Sequence, residues 1–429
     1  MTKKHAEIKT WFRLDNAAMI YSAIQRENYS AIYRFSAVMT RPVDPEALQR
    51  AVDRTMPRFP GFAVRIRRGA FWYYFEPNDS PGPFVREDIN NPCQPVRFRE
   101  DNGWLIRFFY YNCRISMEVF HALSDGAGSL TLLRTLLAVY LRELGHDIPN
   151  GDGVLDVNEP PRPEELEDSY GRYAHAPSCR GMGAAKAYPG RGTPEPFYTL
   201  NVTMGLVPLD KLHQVAKRSG ASITEYLAAV LIQSLLQKQH WEKNRREYPV
   251  ALAVPINLRG HFPSQTLRNF VLTVRPFIDP NLGNYTFDEI VAQVHHQMRL
   301  HISRQEMAAQ ITRNVKLQHS CLLKLIPAPI KNLGMKLSYR AAGNRPYSTT
   351  YTNPGAFRVP AAMAPHIRRM EVILGQSYAP RSNCASISYE NTMEITFAGT
   401  VKESDVERDF FRHLVHAGIP VRVESNREE

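Results

Sequence analysis

The chain is poor in cysteine, and what it has is unpaired. Cys93, Cys113, Cys179, Cys321 and Cys384 are odd in number, far apart and without a CxxC pair. That spacing excludes a zinc ribbon and a dithiol redox motif and fits free thiols in a reducing cytosol. No window of eighteen apolar residues occurs, and no apolar stretch follows Met1-Thr2-Lys3-Lys4-His5-Ala6-Glu7. We therefore expect a cytoplasmic protein with no transmembrane segment. The sequons Asn28-Tyr29-Ser30 and Asn284-Tyr285-Thr286 then carry no meaning. Like charges never run to five, and no basic stripe is interleaved with aromatics. This argues against nucleic acid, although the net charge is +11 and the pI about 9.4. A polyanionic small molecule suits a scattered positive field better.

With 429 residues, 43% of them hydrophobic, the chain has material for two domains of roughly 200 residues each. The pattern is α/β (α+β) in both halves. Asp44-Pro45-Glu46 opens a helix to about Met56. Phe62 to Arg67 and Phe71 to Phe75 form a hairpin around Gly69, and Trp104 to Tyr111 pairs with Arg114 to Phe120 around Asn112-Cys113. A helix from Ser129 to Leu144 follows. Residues 146 to 196 are rich in Pro, Gly and charge, with one short helix expected near Pro163 to Tyr173. The second half holds strands at Leu200 to Met204, Pro249 to Pro255, Phe270 to Phe277, Ser348 to Thr352, Arg369 to Leu374, Ser386 to Tyr389 and Met393 to Gly399. Its helices are Leu209 to Ser219, a capped helix from Ser222 to about His240, a long helical region from Thr286 to about Gln318, and Asp405 to His416. The domain division we expect is 1–160, a linker over 161–196, and 197–429.

The chemistry concentrates in Phe120-His121-Ala122-Leu123-Ser124-Asp125-Gly126. It ends a strand and precedes a helix, where rigid elements present catalytic side chains. Histidine exchanges a proton near neutral pH, so His121 is a candidate general base. Asp125 is an orienting group or an ion-pair partner, and Gly126 supplies a turn conformation closed to other side chains. Ile115, Met117 and Val119 share parity with His121, which would put the imidazole on the buried face. His295, His296 and His301 read as a solvated basic helix face, and His413 and His416 lack carboxylate or Cys companions, so no metal site is expected.

The HxxxDG block resembles the signature of the condensation-domain and chloramphenicol-acetyltransferase-like acyltransferase superfamily, with Phe120 in place of the first histidine. Three further blocks resemble bacterial alcohol acetyltransferase-like proteins: Trp11 to Ala18, Val254-Pro255-Ile256-Asn257-Leu258-Arg259 with Phe262 to Asn269, and the turn Thr352-Asn353-Pro354-Gly355, where Pro354 replaces the usual Leu. The plant-type Asp-Phe-Gly-Trp-Gly block is absent. The resemblance implies two acetyltransferase-like lobes in a pseudo-dimeric V with a central tunnel. It implies that His121 removes a proton from an acceptor that attacks a thioester, with no covalent acyl-enzyme. It also implies that Asp125 turns away to pair with Arg259, bidentately, and that Asn353 is a candidate donor to the oxyanion. No bound cofactor is expected. Acyl-CoA would be the co-substrate, an alcohol or amine the acceptor, and the chain a monomer. A condensation enzyme taking its donor from an acyl-carrier protein is one alternative. A non-catalytic acyl-binding tunnel protein is another.

Overall fold

The computed structural model describes residues 11–15, 18–19, 21, 30–69, 71–98, 100–178, 185–190, 192–242, 247–318, 330, 334, 345–376 and 382–427. Cys179 and Cys321 lie outside these, as do Asn16 and Ala17. Cys93, Cys113 and Cys384 are free thiols.

A five-stranded sheet carries the histidine block. Its order is Ile367–Leu374, Ile32–Met39, Arg114–Phe120, Ile106–Tyr111, Val85–Glu87, antiparallel except for the last pairing. Helices Pro45–Thr55 and Gly126–Glu143 pack against each other in the same core. Each begins on an aspartate. Asp44 accepts from the Glu46 and Ala47 N–H groups, and Asp125 from those of Ala127 and Gly128. These carboxylates satisfy donors that the first helical turn leaves orphaned.

Ile32–Met39 is a strand that alternation does not signal. All eight residues are buried, Arg34 and Ser36 included. Its neighbour Arg114–Phe120 is buried along nearly its whole length too, so neither face of the pair reads as polar. The register explains the polar residues: Arg34 lies opposite Glu118 and Ser36 opposite Ser116. Arg34 donates to Glu118 from Nε (3.0 Å) and Nη2 (2.6 Å), and to Asp88 from Nη1 (2.6 Å). Arg107 reaches the second Glu118 oxygen at 2.7 Å. Burial pushes the Glu118 carboxyl up, but the two guanidinium groups outweigh it and hold it below the usual range.

The second sheet has the order Val271–Val274, Val250–Asn257, Thr349–Thr352, Ser382–Tyr389, Thr392–Gly399, Asn201–Pro208, Arg422–Ser425, with Phe277–Ile278 paired beside Val250–Asn257. Thr349–Thr352 runs parallel to both neighbours. Helices Ile223–Trp241, Phe287–His301 and Asp405–His416 supply apolar residues to its core. Ile223–Trp241 is apolar nearly all round because it is buried nearly all round. Among the described residues no single helix is long and apolar enough to cross a membrane. The long helical region from Thr286 is two helices, Phe287–His301 and Arg304–Gln318. Ser303 accepts from the Glu306 N–H and starts the second.

The halves are laced together. Ile367–Leu374, late in the chain, pairs with Ile32–Met39 and also packs on Ser382–Tyr389 and Thr392–Gly399 of the second sheet. The Val372 N–H donates to buried Glu394 across that junction (3.1 Å). The Pro-rich connection is anchored as well. Glu165 forms a two-point pair with buried Arg58 (2.6 and 2.8 Å), while its carbonyl accepts from Leu267 N–H (2.8 Å). Tyr170 sits in an apolar cluster with Phe262 and Phe270, its hydroxyl donating to Val271 O (2.7 Å).

Replacing Glu118 by Ala should leave buried Arg34 and partly buried Arg107 without their shared counter-charge. We expect a stability loss of about 3–5 kcal/mol in urea denaturation at pH 7; a loss below about 1 kcal/mol would contradict this account of the strand.

Candidate active site

The strand Arg114–Phe120 stops one residue before His121, so strand parity does not orient the imidazole. A tight turn does. The His121 N–H donates to Ala31 O (2.9 Å) and the Leu123 N–H to Phe120 O (2.9 Å). Phe120 is fully buried, while His121 is partly open. Tyr33, from the adjacent strand, holds the turn from below. Its hydroxyl lies 2.9 Å from Ser124 O, 3.2 Å from Asp125 O and 2.6 Å from Ser129 Oγ.

Asp125 uses both carboxylate oxygens on the scaffold. Oδ1 caps the helix Gly126–Glu143, with 3.1 Å contacts to Ala127 and Gly128 N–H. Oδ2 accepts from Arg259 Nη1 and from Phe270 N–H, each at 2.8 Å. The contact with Arg259 is therefore single rather than bidentate, because the first oxygen is committed to the helix. Arg259 spends its other donors on Thr266 O, Arg268 O and Asn257 Oδ1. It gathers the loop 257–268 around one guanidinium, in the fixed fork geometry that suits such a role.

Gly126 is not in a left-handed conformation. It is the first helical residue, and an added Cβ would meet only ordinary contacts, Phe35 at 3.5 Å and Pro354 at 3.7 Å. The glycine that packing requires is Gly128, whose Cβ would collide with Leu267 O and Ser124 Oγ. Ser124 Oγ donates to that same Leu267 oxygen at 2.5 Å. The first helical turn thus lies directly against the loop from the other half.

The His121 ring stacks on Tyr21 (4.4 Å between centroids, 19°) and meets Tyr33 edge-on (5.0 Å, 75°). Its Nδ1 lies 3.2 Å from Asn269 Oδ1. Burial holds the imidazole below its ordinary pKa; the Asp125 charge, the Asn269 contact and the carbonyls of His121 and Ser124 pull the other way without reversing the shift. The ring is neutral near pH 7, the state a proton acceptor needs. Asn269 and Asp15, which contact each other (3.4 Å), stand inside the blocks Phe262 to Asn269 and Trp11 to Ala18. Side-chain type did not single them out, because neither carries a recognisable catalytic pattern on its own.

Asn353 holds its own turn. Oδ1 accepts from Gly355 N–H (2.9 Å) and Nδ2 donates to Thr224 Oγ1 (3.1 Å). Elsewhere His295 meets Glu225 at 3.2 Å and His301 meets Glu306 at 2.7 Å. His413 packs on Phe287 and Tyr226. Among the described residues no group of three or more His, Cys, Asp or Glu is placed to hold a metal.

No protein-family model and no curated protein matches the chain. Solved structures do. Polyketide synthase associated protein 5 from Mycobacterium tuberculosis superposes with a TM-score of 0.62 at 15% identity, covering 94% of this chain and 96% of that one. Trichothecene 15-O-acetyltransferase from Fusarium sporotrichioides gives 0.59 at 11%, covering 94% and 93%. The starter condensation domain of rhizomide synthetase, in complex with C8-CoA and Leu-SNAC, gives 0.59 at 13%, covering 95% of each chain. The two-lobe α/β fold of condensation domains and chloramphenicol-acetyltransferase-like proteins is the fold of this chain.

Two substitutions separate the glycines. Gly126→Ala should be neutral or stabilising by up to about 1 kcal/mol in a helix start, whereas Gly128→Ala should cost about 1–3 kcal/mol by overpacking, both read from thermal melts. Asp125→Ala removes a cap and strands Arg259, and should cost about 3–5 kcal/mol together with activity. A fully stable but inactive variant would instead give Asp125 a chemical role.

Proposed function

We propose that this protein is a cytoplasmic acyltransferase that moves an acyl group from acyl-CoA to the hydroxyl or amine of a small acceptor, with His121 as general base. The observation that carries the reading is the setting of His121: a partly open imidazole, held below its ordinary pKa by burial, whose Nδ1 lies 3.2 Å from Asn269 Oδ1. In this reading Nε2 takes the acceptor proton as the acceptor oxygen or nitrogen attacks the thioester carbonyl. The tetrahedral intermediate collapses with cleavage of the C–S bond, and the imidazolium returns its proton to the leaving thiolate. No acyl-enzyme forms. Base assistance of this kind is worth about 10²–10⁴-fold. Asp125 and Arg259 hold the turn that aims His121. Asn353 holds its turn through Gly355 N–H, donates from Nδ2 to Thr224, and is the candidate donor to the oxyanion in this reading.

The fold supports thioester chemistry, since one structure that shares it holds C8-CoA. A second reading, a donor carried on an acyl-carrier protein, is favoured by the condensation domains of peptide synthetases that share the fold, among them the first condensation domain of CDA synthetase (TM-score 0.59).

Thiol release over acyl-CoAs of increasing length, with a mixed alcohol and amine panel and products read by mass, tests the assignment. His121→Ala should abolish release with the melting temperature nearly unchanged, and full activity in that variant would remove His121 from the chemistry. Because the base must be neutral, kcat/KM should rise with pH to a plateau. The midpoint of that acid limb should lie below the usual imidazole value of about 6.5. Turnover of carrier-bound but not CoA-bound acyl groups would select the second reading.

A further inference from the structure

We propose that Asn269 is the positioning residue of His121, and that Asp15, paired with Arg268, anchors it, so that a relay Arg268–Asp15–Asn269–His121 fixes which ring nitrogen carries the proton. The inference rests on the acyl-transfer reading for its kinetic consequence but not for its structural one.

The orientation of the Asn269 amide follows from what surrounds its nitrogen. Nδ2 lies 3.0 Å from His121 O, 3.4 Å from Ala122 O and 3.4 Å from Asp15 Oδ2. All three are acceptors. Turning the amide over would set its oxygen against two carbonyls and a carboxylate, in a site where Asn269 and Asp15 are buried and repulsion is poorly screened. Nδ2 therefore faces these groups and Oδ1 faces His121 Nδ1 at 3.2 Å. An amide oxygen only accepts, so Nδ1 must bear the hydrogen and Nε2 the lone pair. The same logic sets imidazole tautomers wherever the distal nitrogen is bonded to a fixed acceptor.

Asp15 is in turn immobilised. Oδ1 accepts from the Ala18 N–H (2.8 Å), and Arg268 Nη2 lies 3.6 Å from Oδ2 while also donating to Arg13 O (2.7 Å). Burial pushes the Asp15 carboxyl up to about 6, with Asp168 adding to this and Arg268 opposing it. Above that pH Asp15 is a carboxylate that can only accept, which is the state that keeps Nδ2 turned toward it. Tyr170 faces this group, and Asp125, Tyr21 and Tyr33 face the ring. The relay draws on three separated stretches: the N-terminal segment, the turn after the histidine strand and the loop gathered by Arg259. The tautomer is therefore correct only when those stretches are assembled.

Long-range ¹H–¹⁵N spectra of histidine-labelled protein at pH 8, with His121 assigned by loss of its signals in His121→Gln, read the tautomer without any substrate. We expect the Nδ1–H form in the wild type. In Asn269→Ala and Asn269→Ser the population should move toward Nε2–H, the acid limb of the rate profile should shift, and kcat should fall about ten- to a hundredfold with donor KM changed less than about twofold. A wild-type ring in the Nε2–H form overturns the proposal, and so does a folded Asn269 variant that keeps Nδ1–H and full kcat. If both variants lose the fold, the wild-type spectrum alone decides. If the spectra behave as expected but no thioester releases thiol, the relay stands and the acyl-transfer reading falls.

Discussion

The carboxylate of Asp125 is the contact on which the site depends. It lies in the first half of the chain and binds two groups from the second, the Arg259 guanidinium and the Phe270 N–H, while capping the helix that follows it. A buried charge is tolerable only when its lone pairs are filled, and here four donors fill them. The same four bonds fix three things at once: where the helix begins, how the turn holding His121 is folded, and where the facing loop lies. Both carboxylate oxygens of Asp125 are thus engaged by the scaffold itself.

Around that contact the molecule uses buried polar pairs rather than smooth apolar packing to define register. Arg34 opposite Glu118 and Ser36 opposite Ser116 pin two central strands so that a slip by one residue would strand charge in the core. Glu165 with Arg58, and Tyr170 against Val271, tie the connecting stretch to both halves. The loop 262–271 is held from three sides: by Arg259, by this connection, and by Gly128, which lets a helix backbone lie against it without an intervening side chain.

Much of this was legible in the sequence where local rules govern. Asp44 and Ser222 announce helices because capping is a matter of a few neighbouring residues, and turn residues announce the two hairpins of the first half. The pairing of Asp125 with Arg259 is what the resemblance implies; in the structure a single Arg259 nitrogen reaches Oδ2, because the helix takes the other oxygen. Less legible was anything set by long-range pairing. Ile32–Met39 hides because its polar residues are satisfied across strands, not by water. Asn269 hides because an asparagine in a loop looks like any turn residue until its three acceptors are seen around it. Gly126 drew attention by standing next to Asp125, whereas the close approach occurs two residues later.

The strand Ile367–Leu374 completes the first sheet along Ile32–Met39, yet residues 40–366 lie between them in the chain. During synthesis at about 5–20 residues per second, the ribosome emits one side of a long apolar ladder many seconds before its partner exists. That interval is an open invitation to intermolecular pairing, the hazard of any bare strand edge. The edge of Ile32–Met39 therefore stays bare until Ile367–Leu374 emerges to cover it.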